Sequence, residues 1–302
     1  MILAAGLGTR LRPLTDGVPK AVVPVGLESA LGRWLRVLSG HGFCDVVVNL
    51  HHLGAVIRRE VEAHPVPGLR VHWSEEAEIL GTGGGIRRAL AHLGGEPFLV
   101  VNADVVMEPD LTGLLEAHER SGALATMVLR RDGDAVRKGA VEVDRARIVR
   151  RLLGAPSKAP GPLEVLAFAG VQVLDPRVAP FLPEVGCIVR TLYRGLVDED
   201  GGRLGAFVDD GPWTDIGSPE GYLRANLEVA GEGVLADVSA VVEAGARVGP
   251  SVVLGPGARV LAGAVVRRAV VWPDTVVGGD LEEAVATPFA TLTCRATAPR
   301  SR

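Results

Sequence analysis

Two glycines, Gly6 and Gly8, are followed closely by Arg10 and Arg12 and then by Lys20. Glycine lets the backbone approach an anion and leaves bare N–H groups in a concavity, and the cations add full positive charge beside it. The spacing therefore predicts a phosphate site, with Pro13 and Pro19 stiffening the loop that carries the cations. Two familiar phosphate motifs do not fit: the dinucleotide fingerprint needs a third glycine where Leu11 stands, and the P-loop needs a closing Gly-Lys-Ser/Thr. Taken alone, Gly-Leu-Gly also suits an ordinary strand-to-helix turn.

Three other stretches carry chemistry-bearing residues. Glu75-Glu76-Ala77-Glu78-Ile79-Leu80-Gly81-Thr82-Gly83-Gly84-Gly85 reads blandly as an acidic loop leading to a helix start. Asn102-Ala103-Asp104 ends an apolar run and presents a carboxylate, which could also cap the following helix. In Trp213-Thr214-Asp215-Ile216-Gly217-Ser218-Pro219-Glu220-Gly221-Tyr222, Ser218 has the character of a helix N-cap, with Pro219 in the first turn and Tyr222 opening the apolar face. His51-His52 invites a metal reading, but adjacent residues on an extended chain point to opposite sides, which favours structural or supporting roles.

These residues must be positioned by a regular framework. Leu31, Trp34, Leu35 and Leu38 recur at helical spacing, 44–50 reads as a buried strand, and Val56, Ile57 and Val61 mark a second helix. A strand at Leu69–Trp73, a helix at Gly85–Leu93 and a strand at Phe98–Asn102 follow. This alternation predicts an α/β, Rossmann-like, mostly parallel sheet with helices on both faces, whose ligands gather at the carboxyl ends of the strands. The pattern then turns strand-rich to about Val173, broken by Gly133, Gly139 and the Gly/Pro-rich stretch 154–162. From Val242 to Trp272 an aliphatic or aromatic residue recurs every six positions, preceded two places earlier by Ala240, Ala246, Val252, Ala258, Ala264 and Val270. That hexad predicts a short C-terminal left-handed β-helix of about two coils. The expected organisation is a catalytic domain over 1–226, the β-helix over 227–294 and a tail over 295–302. An exposed coil end or face would suit a homo-oligomer.

Composition narrows the classes. The net charge of −4, with no basic stripe, argues against nucleic-acid binding. The 3 cysteines are too scattered for a metal knuckle and suit a reducing compartment. No apolar run is long enough to span a bilayer, so no membrane association and a cytoplasmic location are expected.

The full string Leu-Ala-Ala-Gly-x-Gly-Thr-Arg-Leu-x-Pro-Leu-Thr with Pro19-Lys20, the Leu-Gly-Thr-x-Gly run, Asn102-x-Asp104 and the Trp213–Tyr222 segment resemble the sugar-1-phosphate nucleotidyltransferases, in particular the mannose-1-phosphate guanylyltransferases with a hexapeptide tail. The resemblance implies transfer of a nucleoside monophosphate from an NTP to a sugar 1-phosphate, with pyrophosphate leaving. It assigns catalysis to Arg10 and Lys20, and nucleotide binding to Leu3, Ala4, Ala5, Gly6, Gly8, Thr9, Glu76, Gly81 and Thr82. It assigns Mg²⁺ to Asp104 and Asp215. Glu76, as an acceptor-only group, would meet the two donors on the guanine edge, so GTP and mannose 1-phosphate are the expected pair, with uridylyl or thymidylyl transfer to another hexose or heptose 1-phosphate as the alternative. The sugar-phosphate contacts fall on Lys158, Glu164 and Gly170, out of the family's usual Glu-Lys-Pro order. A non-catalytic nucleotide-sugar-binding regulator would have lost the Lys, Arg or Asp residues present here. A hexapeptide acyltransferase would need a tail histidine, and every histidine lies at or before His118.

Overall fold

The structure is a computed structural model that describes residues 1–133, 135, 139–152, 161–198 and 203–294. The chain divides into two compact units, each assembled from separated segments: Met1–Gly6, Trp34–Gly54 and Pro65–Trp213 form the first, and Leu7–Arg33, Ala55–His64 and Thr214–Arg302 the second.

The first unit is built on a 9-stranded sheet. Ile2–Leu3 lies parallel between Asp45–Leu50 and Phe98–Asn102, and Arg70–Glu75 extends the parallel part beyond Asp45–Leu50. Val46, Val47, Val48 and Leu50 are consecutive or nearly so and all buried, the mark of a strand covered on both faces. On the other side the sheet is not parallel. The long strand Glu164–Leu174 runs antiparallel to Phe98–Asn102, to Ala125–Arg130 and to Val141–Val143. The hairpin of Val141–Val143 and Val149–Leu152 lies beside it, and an antiparallel neighbour needs no helical crossover. The expected mostly parallel sheet is thus a mixed one.

Helices fall close to the expected places, at Ala30–Gly40, Gly54–Ala63 and Leu111–Ser121. The helix expected from Gly85 instead begins at Gly81, so the glycine run is itself helical. No helix among the described residues is long and apolar enough to cross a membrane.

In the second unit the tail forms a stack of short parallel strands. Val234–Ala236 pairs with Val252–Leu254, which pairs with Val265–Val271, which pairs with Leu281–Ala286. A parallel column on another side joins Val241–Val242, Arg259–Val260 and Val276–Val277. The stack therefore rises further than about two coils. Its hexad also slips: Leu254 is level with Val271, not with Trp272. The missing residue falls at a corner where Arg268 adopts a left-handed φ of 44°. Past the slip Ala269 and Val271 join the inner core with Leu254 and Val266. Val270 and Trp272, expected inside, lie outside that inner core yet remain buried, on the strands against which the helix Pro219–Ala230 packs.

Within the first unit His118 is buried, and its Nδ1 lies 2.9 Å from Thr126 Oγ1. Burial is the main cause that pushes its pKa below the usual 6.5, with Asp175 opposing. The unfolded chain therefore takes up the proton first. The stability from neutral His118 is complete above about pH 6.5 and declines as pH falls toward the depressed folded value. Melting at pH 7.5 and 5.5 should show a loss of stability that is flatter in His118→Asn, although that variant is weaker at both. Equal slopes in the two proteins would exclude His118 as the source.

Candidate functional site

In the second unit the loop after Gly6 closes on itself. Gly8 has φ 63°, and its carbonyl accepts from Leu11 N at 2.9 Å and Thr15 Oγ1 at 2.8 Å. Leu11 and Leu14 are fully buried and anchor the turn Thr9–Leu11, leaving Arg10 and Arg12 at the surface. Arg12 pairs with Asp16 at 3.4 Å. A Cβ on Gly8 would stand 3.1 Å from Lys20 Cβ, so glycine lets the lysine backbone close against the loop.

Asp215 belongs to the same unit. A Cβ on Gly217 would meet Asp215 Oδ1 at 2.7 Å and Arg10 Nη2 at 3.0 Å, so guanidinium and carboxylate face each other across a space that only glycine leaves open. Asp215 Oδ1 is buried with no hydrogen-bond partner among the described residues. An orphaned buried carboxylate oxygen is costly, and it is the donor type a hard divalent cation takes. Among the described residues no group of 3 or more His, Cys, Asp or Glu side chains could hold a metal. Mg²⁺ keeps waters and substrate oxygens and needs only one or two carboxylates, so Asp215 fits such an ion.

In the first unit the chemistry-bearing residues lie at or just past the carboxyl ends of parallel strands. Asn49 is buried at the end of Asp45–Leu50; its Oδ1 accepts from Ala4 N at 2.7 Å, and its Nδ2 donates to Glu76 Oε1 at 2.6 Å. Glu76 Oε2 accepts from Leu80 N at 3.0 Å, and Glu76 is 4 % exposed. Each carboxylate oxygen accepts one hydrogen bond within the unit, so the side chain braces the first strand's end to the following helix.

The glycine run packs against the 183–188 segment. A Cβ on Gly81 would lie 2.7 Å from the Gly186 carbonyl oxygen, and one on Gly83 2.7 Å from Pro183 Cγ. Gly83 N donates to Gly186 O at 2.8 Å, and Thr82 Oγ1 accepts from Ile188 N at 2.9 Å. The glycines thus admit the close approach of another backbone segment. Gly6 differs: a Cβ there would meet nothing within 4 Å.

Asp104 follows Phe98–Asn102, with Ala103 N donating to Leu3 O at 3.1 Å and Trp34 Nε1 donating to Val105 O at 2.8 Å on either side of it. It is not a helix cap; Asp110 caps Leu111–Ser121 by accepting from Gly113 N. Gly170, at φ 84°, is closed in by Asn102 and Val105, so it too is a packing glycine. Glu164 is tied to Arg131 and Arg147 at 2.8 and 3.0 Å, and Lys158 lies outside the described residues. His51 supports the site, its Nδ1 2.9 Å from Glu76 O. A cavity of about 510 Å³ beside Thr126 is elsewhere: Thr126 is level with Leu99, near the opposite strand ends from Asp104.

The sequence model of one family, nucleotidyl transferase, matches residues 1–232. The chain belongs to this family. It is 30% identical over 287 residues to the mannose-1-phosphate guanylyltransferase of Mycobacterium tuberculosis, covering 88% of this chain and 79% of that one. It is 29% identical over 240 residues to the N-acetylmuramate alpha-1-phosphate uridylyltransferase of Caulobacter vibrioides, covering 76% and 96%. Among solved structures, HddC from Yersinia pseudotuberculosis complexed with GMP-PN shares the fold with a TM-score of 0.63 at 24% identity, over 76% of this chain and 97% of that one. The chain is therefore a sugar-1-phosphate nucleotidyltransferase with a Rossmann-like mixed α/β fold.

Sequence reasoning on this nucleotidyltransferase missed Asn49, although a lone amide ending Val46-Val47-Val48 is a signal. It also missed Arg130, whose guanidinium lies 5.1 Å from the Trp213 ring centroid while Trp213 Nε1 donates to Ala169 O at 2.9 Å. The packing role of the glycines is testable. A Cβ on Gly84 would overlap the Glu184 carbonyl oxygen. Helix propensity alone would make Gly84→Ala more stable by about 1 kcal/mol; the overlap with backbone should reverse the sign to a net loss on the order of 1–2 kcal/mol. Urea unfolding reads the difference, and a stabilised variant would contradict the packing.

Proposed function

We propose that this enzyme joins GTP to mannose 1-phosphate, releasing pyrophosphate and forming a GDP-sugar in the cytoplasm. The observation that carries the site assignment is the meeting of Arg10 and Asp215 over Gly217, with Lys20 closed against Gly8 in the same unit. The choice of substrates rests on likeness to guanylyltransferases over most of the chain.

In this reading the phosphate oxygen of the sugar 1-phosphate attacks the α-phosphorus of the nucleotide, and no protein nucleophile is needed. The chain's contribution is alignment and charge. Gly6 leaves open backbone beside the triphosphate, and Arg10 and Lys20 stabilise the charge that develops on the leaving pyrophosphate. Asp104 and Asp215 are each proposed as magnesium ligands. When bound, the ion supplies charge neutralisation on phosphate oxygens. We further propose a catalytic region over 1–226 and a left-handed β-helix over 227–294, one face or end of which serves self-association; the parallel pairing of the tail strands supports the β-helix.

Lys20→Ala should lower turnover by about 10²–10³ while the protein stays folded, since one preorganised donor on a transition state is typically worth that much. Pyrophosphate release reads it, and near-normal turnover would remove Lys20 from the mechanism. Assay of the purified protein against four nucleoside triphosphates and a panel of hexose and heptose 1-phosphates should show preference for GTP with mannose 1-phosphate. Preference for UTP or dTTP would overturn the substrate pair and leave the reaction class intact.

A further inference from the structure

The tail reaches the phosphate loop through three side chains, all in the second unit. Tyr222 is wholly buried in the helix Pro219–Ala230. Its hydroxyl donates to Pro24 O at 2.6 Å and accepts from Trp272 Nε1 at 2.8 Å. One turn on, Asn226, also wholly buried, accepts from Gly26 N at 2.8 Å and donates back to Tyr222 O at 3.0 Å. Pro24 and Gly26 belong to the hairpin Pro24–Ser29, only a short turn after Lys20. The fit leaves no slack. Gly26 has φ 66°, and a Cβ there would stand 2.8 Å from Val229 Cγ1.

Asp215 ends the strand Trp213–Asp215, shortly before Ser218 at the start of the same helix. Ser218 caps it by accepting from Gly221 N, and a Cβ on Gly221 would overlap the Asp215 carbonyl oxygen. Thr214 Oγ1 donates to Glu228 Oε2 at 2.5 Å. One helix therefore abuts the strand end that bears the carboxylate at its start and the hairpin that follows Lys20 along its side, and Trp272 fixes it from the tail.

We infer that Trp272, acting through Tyr222, is a positioning residue for the phosphate loop, so that the tail sets the enzyme's grip on its nucleotide. This rests on the reading of Lys20 as a phosphate ligand. A hydroxyl buried between one donor and one acceptor has a single orientation. Removing the indole N–H leaves the hydroxyl oxygen without its buried donor and held by the Pro24 carbonyl alone, so the fixed link from the tail to the hairpin is lost.

The test is steady-state kinetics of the full chain with GTP and mannose 1-phosphate, or with whichever pair the substrate panel selects. Trp272→Phe keeps an aromatic side chain, loses the N–H and gives up part of the indole's volume; Tyr222→Phe keeps the ring and loses both hydrogen bonds. Each should raise KM for the nucleotide by about fivefold to tenfold and leave KM for the sugar phosphate within about twofold. The double variant should be no worse than Tyr222→Phe, because the two act in series. Phe289→Ala supplies the structural control: Phe289 packs edge-on to Trp272 with centroids 6.0 Å apart and takes no part in these hydrogen bonds, so it should lower the melting temperature without moving KM. A fall in melting temperature in Trp272→Phe with KM unchanged overturns the inference. Lys20→Ala, assayed alongside, separates the two failures: loss of turnover there with no effect at Trp272 overturns the relay alone, and no effect at Lys20 overturns the phosphate-loop reading beneath it.

Discussion

A phenol hydroxyl sealed from water must find its partners inside the protein, and leaving either lone pair or proton unused costs on the order of 1–3 kcal/mol. Tyr222 meets that demand with a carbonyl from the phosphate-loop hairpin and an indole from the tail. Burial drives its pKa far above the usual tyrosine value, so it stays a donor at any pH the enzyme meets. The arrangement of the second unit follows. The helix cannot shift along the tail without breaking the indole contact, and the hairpin cannot shift along the helix without orphaning the Gly26 amide. In the proposed mechanism Arg10, Lys20 and Asp215 inherit that fixity, which catalysis by alignment requires.

The first unit solves a similar problem by other means. Its parallel strands end in polar residues that would be unsatisfied where they stand. Asn49 and Glu76 satisfy each other and two backbone amides, fixing the end of the first strand to the start of the helix Gly81–Ala89. The glycines of that helix let the 183–188 segment lie directly on it, making a doubled wall out of backbone. A wall of this kind has few rotatable parts, which suits a surface that must hold shape while substrates exchange.

Much of this was legible from residue type and spacing. The strands Asp45–Leu50 and Phe98–Asn102 and the helix Pro219–Ala230 stand close to where periodicity and end signals put them, because apolar runs ended by polar residues have few alternatives. Ser218 and Pro219 occupy the cap and first turn for the same local reasons. What could not be read is long-range. Glu76 carries the same residue type whether it meets a base or Asn49, and only the fold decides which donor comes within reach. Glycines at 81, 83, 84 and 85 announce close approach without naming what approaches. The hexad slip at Arg268 is a one-residue change in register, invisible to a repeat read by its own period, and it is what turns Trp272 out toward the helix.

The central claim is that one helix transmits the tail's position to the phosphate loop. Hydrogen–deuterium exchange at the Gly26 amide, which is bound to buried Asn226, measures that coupling without substrate. In the native protein this amide should exchange as slowly as those of the strand Val252–Leu254. In Trp272→Phe its protection should drop by about tenfold while that strand keeps its own, a local opening rather than global unfolding. Equal protection of Gly26 in the two proteins would contradict the account.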